Sequence, residues 1–183
     1  GEHRRSVLGI PALLEIEDFL RGGRPQACQR RLQVGGLQCF VAGAHPELAR
    51  RFERLVSVRG IATISALRIL AELAVLPADM TPRQWVAHAG LDPRALDSGT
   101  SMHKPARISK KGNRHLRAAL YMPAMVAARE EPNVRSFYHK RIAGGLKPVQ
   151  ALVAVERKLL HSIHGMWSSN RDFDGEKFCA MNA

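Results

Sequence analysis

The chain has 183 residues, 45% of them apolar, and a formal net charge of +12 at pH 7. This length and apolar fraction are enough for one domain with a buried core, which excludes a disordered basic tail. Cys28, Cys39 and Cys179 are too scattered for a disulfide framework or a zinc knuckle, and no apolar run approaches the ~20 residues that span a bilayer. We therefore expect a soluble intracellular protein.

Residues 1–45 are broken by glycine and proline and predict one helix at most, near residues 10–21. We interpret this segment as a helical or irregular N-terminal remnant or linker. Regular helical signals begin at Pro46, after which Leu48, Phe52, Leu55 and Val56 share one predicted apolar face. This helix ends near Gly60, and a second apolar run stops before Pro77.

The two helices around Gly60 are typical of a helix-hairpin-helix motif. In that motif, free backbone N–H groups at the start of the second helix bind a DNA phosphate. Here Gly60-Ile61-Ala62 replaces the usual Gly-hydrophobic-Gly, so the motif is degenerate. An ordinary αα-hairpin fits the same pattern.

Thr81-Pro82 predicts the start of a third helix, and Gly90 predicts its end. An irregular loop is expected from residue 91 to 112, followed by a long helix capped by Asn113. Its predicted inner face is Leu116, Leu120, Ala124 and Ala127.

Two more helices start at Pro132 and Pro148, and the residues after Ser168 are expected to fray. No segment shows strand-like alternation. The predicted fold class is therefore all-α, a compact multi-helix domain over 46–168 with a degenerate helix-hairpin-helix, a basic loop and a C-terminal tail over 169–183.

The positive charge is concentrated in one segment, since residues 98–129 contain seven basic and no acidic side chains. Like charges repel, so this concentration favours a polyanionic partner such as nucleic acid, although a basic surface without a specific partner is the alternative. A membrane surface fits less well because Pro105 and Gly112 break the segment, which also lacks Trp and Phe. The seven residues are Lys104, Arg107, Lys110, Lys111, Arg114, Arg117 and Arg129.

Aromatic and histidine side chains near this segment are further candidates. Tyr121 shares a predicted helix face with Arg114 and Arg117 and is a candidate for stacking on a base or contacting a phosphate. His103 and His115 flank the basic loop and could contact phosphate, but a simple surface position is favoured.

Other chemistry-bearing residues favour structural roles. His161, His164 and Glu156 lie on one predicted helix, but their spacing does not supply three convergent metal ligands, so no metal site is predicted. Trp85 and Trp167 fall in apolar helical patterns, as does Met125, and we expect these residues in the core or against a partner.

Three short motifs form one longer signature. The first two are Gly90-Leu91-Asp92-Pro93-Arg94 and Ser98-Gly99-Thr100-Ser101. The third begins at Arg107 and continues over residues 108–117 as Ile-Ser-Lys-Lys-Gly-Asn-Arg-His-Leu-Arg. With Arg157-Lys158-Leu159-Leu160 further on, this order resembles the C-terminal domain of insertion-sequence transposases of the 110/116/902 group, which includes pilin-gene invertases. The resemblance covers roughly residues 46–165.

The resemblance implies a DNA transposase or site-specific recombinase. Ser98 falls at the family's catalytic serine, which is taken to attack the scissile phosphodiester and hold the strand as a phosphoserine; Ser101 is the alternate candidate. The sequence around Ser98 supports this catalytic role only in part, because a serine hydroxyl needs a base or a metal nearby to become a good nucleophile.

Family members also carry an N-terminal DEDD domain of RuvC type that binds Mg²⁺. We expect that domain to be missing here, because residues 1–45 are too short for it, so no cofactor is predicted within this chain. The implied partners are DNA, a guide-like noncoding RNA in some members, and further copies of the full-length protein. The implied location is the bacterial cytoplasm, at the nucleoid.

The predicted DNA-binding residues are Gly60, Lys104, Arg107, Lys110, Lys111, Asn113, Arg114 and Arg117. Two other classes of protein remain open at this point. One is a non-enzymatic helix-hairpin-helix DNA-binding module or inactive transposon remnant. The other is an RNA-binding scaffold that recognises duplex shape through basic loops.

Overall fold

A computed structural model describes residues 46–98 and 102–180, and the interpretation of residues 1–45 lies outside this range. The elements in chain order are α1 (Pro46–Ser57), α2 (Thr63–Ala74), α3 (Pro82–His88), β1 (Pro93–Ser98), β2 (Met102–Ile108), α4 (Arg114–Glu130), α5 (Pro132–Ala143), α6 (Pro148–Ser169) and α7 (Gly175–Ala180). Helices dominate the described part, which confirms the all-α fold class.

The predicted helix starts are confirmed, and the reason is local. Four helices begin with a proline, whose fixed φ and missing N–H suit the first helical position. Before α3, the Thr81 hydroxyl accepts a hydrogen bond from the Gln84 backbone N–H (3.4 Å), while the Gln84 side chain accepts one from the Thr81 N–H (2.7 Å). This reciprocal capping box satisfies two backbone donors at the helix end.

The core is centred on α4, which contacts α2, α5 and α6. The predicted inner face of α4 is fully buried and rich in alanine: Leu116, Leu120, Ala124 and Ala127 are each 0% exposed. Small side chains let neighbouring backbones approach closely. Among the described residues of 46–180, no helix is long and apolar enough to cross a membrane.

Gly60 in the α1–α2 turn makes one such close approach to α4. Its φ is +107°, and a Cβ at this position would lie 2.6 Å from the Ala127 backbone nitrogen and 2.9 Å from the Pro123 carbonyl oxygen. Real Cβ atoms do not come this close to a backbone, so glycine is required here by both conformation and space. The turn therefore fixes the α1–α2 pair against the second half of α4.

The sequence interpretation of residues 91–112 as an irregular loop was wrong, because β1 and β2 form an antiparallel hairpin in this segment. Its register runs from Pro93 opposite Ile108 to Ser98 opposite Met102, with an irregularity between Arg94 and Leu96. Prolines in both strands and the scarcity of β-branched residues removed the usual strand signal. A two-stranded sheet tolerates proline because each strand has an unpaired outer edge.

The C-terminal residues also differ from the prediction of a frayed tail. α6 continues to Ser169, and α7 follows with Phe178 completely buried. The Phe178 ring meets the Phe137 ring of α5 edge to face, with centroids 5.7 Å apart. One buried aromatic side chain is enough to return this short segment to the core.

Some core assignments were confirmed and others were wrong. Leu48, Phe52 and Leu55 of α1 are buried, as is Trp85 of α3. Val56 is 41% exposed and does not belong to the core. Met125 is also 41% exposed, so for this residue only the alternative of packing against a partner stays a prediction. Val56 lies at the edge of its predicted face, where periodicity alone does not locate the boundary of burial.

The space around Gly60 predicts a large effect of a single methyl group. We expect Gly60→Ala to lower the free energy of unfolding by about 2–4 kcal/mol, because the new Cβ meets the α4 backbone and the φ angle is unfavourable for alanine. Gly165→Ala is the matched control, since a Cβ there has nothing within 4 Å and alanine favours the interior of α6 by about 0.5–1 kcal/mol.

Urea unfolding followed by circular dichroism measures both variants. Equal stability of the two variants would contradict the close packing of Gly60 on α4.

Candidate nucleic-acid interface

Three consecutive carbonyl groups at the end of α3 hold the segment that follows the hairpin. The His88 carbonyl accepts a hydrogen bond from the Asn113 N–H (2.7 Å), and the Gly90 carbonyl accepts one from the Lys110 N–H (3.0 Å). Between them, the Ala89 carbonyl accepts one from Nη1 of Arg117 (2.8 Å). The last carbonyls of a helix lack partners within the helix, and this arrangement supplies them.

The base of the hairpin is joined by two further hydrogen bonds. The Ser109 N–H donates to the Asp92 carbonyl (2.9 Å), and the Ser109 hydroxyl donates to the Asp92 carboxylate. Gly112 lets the returning chain pass close to α3, because a Cβ there would lie 2.2 Å from the His88 carbonyl oxygen at a φ of +147°. The signature motifs thus build a fixed base for the hairpin.

Asn113 connects this base to two helices. Its side-chain oxygen accepts hydrogen bonds from the His115 N–H (2.8 Å) and the Leu116 N–H (3.1 Å), which makes it the N-cap of α4. Its side-chain nitrogen donates to the Glu72 carboxylate of α2. Both the oxygen and the nitrogen of the Asn113 amide therefore have partners within the protein. The predicted contact of Asn113 with DNA stays a prediction.

Arg117 is likewise occupied by a structural contact. Its guanidinium is only partly exposed and binds the Ala89 carbonyl at the C-terminal end of α3. A cation is favoured at that end because the helix dipole and the unpaired carbonyls are negative there. DNA binding by Arg117 stays a prediction.

Four predicted DNA-binding side chains lie together on the surface. Arg107, at the end of β2, is exposed, as are Lys110 and Lys111 in the loop and Arg114 in the first turn of α4. We call these four residues the basic base of the hairpin. They follow one another closely along the segment that the α3 carbonyls hold in place, which begins where the hairpin ends.

Lys104 and Gly60 are placed differently. Lys104 lies in β2 opposite Leu96, and its side chain is outside what the structure describes. Gly60 contacts α4 at residues 123–127, which at 1.5 Å per residue is about 14–20 Å along the helix from Arg114. The predicted phosphate site at Gly60 is thus not brought together with the basic base.

Ser98 is the last residue of β1, opposite Met102, at the end of the hairpin away from α3. Ser98 is five positions after Pro93, so its backbone is about 17 Å from the start of the strand. Asp97 is paired in register with His103. Ser101 lies outside the described residues, and the catalytic assignments of both serines stay predictions.

Sequence reasoning did not identify Glu156 as part of this region. Glu156 of α6 is 2% exposed, and burial raises the pKa of its carboxyl group from 4.5 to about 7, although the positive charge of Arg117 opposes the rise. It lines a surface groove of about 620 Å³ between α4 and α6, which also contains Arg114, His115 and Tyr121. The available signal was a carboxylate within the apolar stripe of α6, among Val155 and Leu159.

His164 of α6 has structural contacts. Nε2 of His164 lies 2.9 Å from the Met80 carbonyl oxygen, and its ring packs edge to face on Trp85 with centroids 4.9 Å apart. Within residues 46–98 and 102–180, no group of three or more His, Cys, Asp or Glu side chains is arranged to hold a metal ion.

Comparisons with known proteins agree with this reading of the sequence. Residues 52–139 match the Transposase IS116/IS110/IS902 family. The chain is 31% identical over 172 residues to the pilin gene-inverting protein of Moraxella bovis, an alignment that covers 93% of this chain and 52% of that protein. It is 30% identical over 125 residues to the uncharacterized 44.8 kDa protein of insertion element IS116 from Streptomyces clavuligerus, covering 67% of this chain and 30% of that protein.

A third relative is the uncharacterized 43.6 kDa protein of insertion element IS110 from Streptomyces coelicolor, 28% identical over 112 residues that cover 61% of this chain and 27% of that protein. These relatives are insertion-element and gene-inverting proteins. The chain belongs to the IS116/IS110/IS902 transposase family, as its signature predicted. It spans about half the length of the pilin gene-inverting proteins that it matches.

The raised pKa of Glu156 predicts a pH dependence of stability. The folded protein keeps a proton on Glu156 that the unfolded chain releases above its ordinary pKa of 4.5, so stability falls as the pH rises from there through about 7. Replacing this carboxyl by Glu156→Gln removes that loss. Relative to the wild type, we expect the variant to gain about 2 kcal/mol between pH 5 and pH 7.

Urea unfolding at several pH values measures this difference, and other titrating groups cancel because both proteins contain them. Glu53→Gln, at an exposed position of α1, controls for the loss of a carboxyl group. A difference between wild type and Glu156→Gln that is constant with pH would show that Glu156 titrates normally.

Proposed function

We infer that this chain is the DNA-binding, serine-bearing part of a DNA transposase or site-specific recombinase. The observation that carries the proposal is the β1–β2 hairpin. Its first strand ends at Ser98, and the basic base lies at the opposite end of the hairpin. The chain that contains it belongs to the IS116/IS110/IS902 family. A serine at the tip of a projecting hairpin can enter a DNA groove that the domain core cannot reach. Cations at its base can hold the flanking phosphates.

The basic base binds the DNA backbone in this proposal. Arg107, Lys110, Lys111 and Arg114 are exposed, and these four side chains have no acidic neighbour in residues 98–129. Contacts to phosphate oxygens position a protein on DNA without reading its sequence. Asn113 and Arg117 support the interface by holding the basic base on α3 and α4.

The proposed chemistry is a transesterification at Ser98. Its hydroxyl oxygen forms a bond to the scissile phosphorus, the bond from phosphorus to one strand end breaks, and that strand end leaves as a free hydroxyl after taking up a proton. The phosphoserine keeps the energy of the phosphodiester for rejoining. A serine hydroxyl needs activation, which the Mg²⁺-binding nuclease-like domain of the family would supply, since the described residues offer no metal site.

The covalent step gives the first test of this function. In the full-length protein, we expect Ser98→Ala to abolish both the covalent protein–DNA adduct and strand transfer, because the attacking oxygen is gone. Binding of DNA should be unchanged. Adducts are measured on denaturing gels after mixing with labelled DNA that contains the target junction.

Ser101→Ala is the matched control because it removes the hydroxyl of the alternate serine, three residues further along the sequence. If Ser101→Ala loses the adduct and Ser98→Ala keeps it, the nucleophile is Ser101. Adduct formation by both variants would exclude a serine of this hairpin.

The basic base gives a second test, which depends on salt. Binding of DNA releases counterions in proportion to the phosphates contacted, so we expect Arg114→Ala and Lys111→Ala each to reduce the slope of log affinity against log salt by about 0.9. The loss of affinity should be similar for unrelated DNA sequences. Fluorescence anisotropy at several salt concentrations measures the slope.

Lys140→Ala is the control, since Lys140 is an exposed cation of α5 outside the basic base. The same change of slope for Lys140→Ala would mean that the overall charge, and not the basic base, determines binding.

A further inference from the structure

The groove between α4 and α6 combines an aromatic ring with a buried carboxyl group, neither of which is needed to bind a phosphate. Its volume is about 620 Å³, within the usual range for sites that bind small molecules. One wall carries the Tyr121 ring, which is 44% exposed, and the other carries Val153. Ile108 of β2 also lines the groove. The groove is therefore partly aromatic, and Arg114 of the basic base forms part of its lining.

Glu156 faces this groove with unused hydrogen-bonding capacity. The residue is 2% exposed, yet no other residue of the described chain donates a hydrogen bond to its carboxyl group. Arg117 is the cation that acts on it most strongly, but Nη1 of Arg117 already binds the Ala89 carbonyl. A buried polar group without a partner is costly, so a ligand that offers N–H donors would be stabilised here.

Three kinds of ligand can be compared by their chemistry. A phosphate would be repelled by the carboxyl group when it is ionised, and an apolar ligand would leave it unpaired. A nucleobase offers a flat π face for the Tyr121 ring and N–H groups at its edge for Glu156. Arg114 and His115 are exposed at the rim, where the phosphates on either side of that base would lie.

We propose that this groove binds one unpaired nucleobase of DNA, which stacks on Tyr121 and donates a hydrogen bond to Glu156. The proposal rests on the DNA binding inferred above and adds a recognition element to it. A base can enter the groove only when it has left its duplex partner. The chain would therefore prefer DNA that is locally unpaired beside the hairpin.

Anisotropy measurements with this chain and three labelled duplexes test the proposal. One duplex is fully paired, one has a single bulged cytosine, and one has an abasic residue in the same bulge, which keeps the bend but removes the base. We expect the bulged cytosine to be bound at least about fivefold more tightly than the abasic bulge, as stacking on an aromatic side chain requires.

Substitutions in the groove should remove this preference. We expect Tyr121→Ala and Glu156→Met to bind the two bulged duplexes within about twofold of each other, while Tyr121→Phe keeps the preference through its ring. Met122→Ala is the matched control because Met122 is 52% exposed on α4 and does not line the groove. Affinity for the paired duplex should be unchanged in all of these variants.

Equal binding of the base and abasic bulges by the wild type, or an undiminished preference in Tyr121→Ala, would overturn the proposal. If the wild type binds no paired duplex but binds the bulged cytosine more tightly than the abasic bulge, the result would instead contradict the proposed function. A preference seen only when the bulged strand is RNA would overturn the assignment to DNA.

Discussion

The C-terminal end of α3 is the point on which the rest of the interface depends. Three successive carbonyls, of His88, Ala89 and Gly90, accept hydrogen bonds from residues 110–117. They give the end of a short helix the partners that it lacks within itself. They also hold the loop that leaves the hairpin, and the start of α4, against α3. The Ser109–Asp92 hydrogen bonds, by contrast, join the two sides of the hairpin to each other.

The same contacts separate two kinds of positive charge that look alike in the sequence. Arg117 is used inside the protein, where it binds a carbonyl and lies near the buried Glu156. Arg107, Lys110, Lys111 and Arg114 remain exposed. A segment with seven cations and no carboxylate thus leaves only part of its positive charge available to a ligand. The structural arginine fixes the geometry in which the exposed cations are presented.

The helices could be predicted from local sequence signals, whereas the hairpin and the C-terminal packing could not, because they depend on residues far apart in the sequence. Thr81, Asn113 and the helix-starting prolines act on their own neighbours, so they are readable in order along the chain. The hairpin was missed because the pairing of Pro93 with Ile108 is a relation between distant positions, not a pattern within either strand. The packing of Phe178 on Phe137 is also non-local. The candidate site was predictable as a family signature, whereas the buried position of Glu156 required the fold.

The hairpin base has one more consequence, which concerns how this family can change. The contacts that hold it connect residues 17 to 28 positions apart, within one continuous stretch from α3 to α4. Those contacts are made by residues outside both strands. The hairpin can therefore lengthen or shorten without disturbing the core, and two residues added to each strand would extend its tip by about 7 Å. The distance from the hairpin base to its tip therefore depends on strand length alone and can change while the base stays the same.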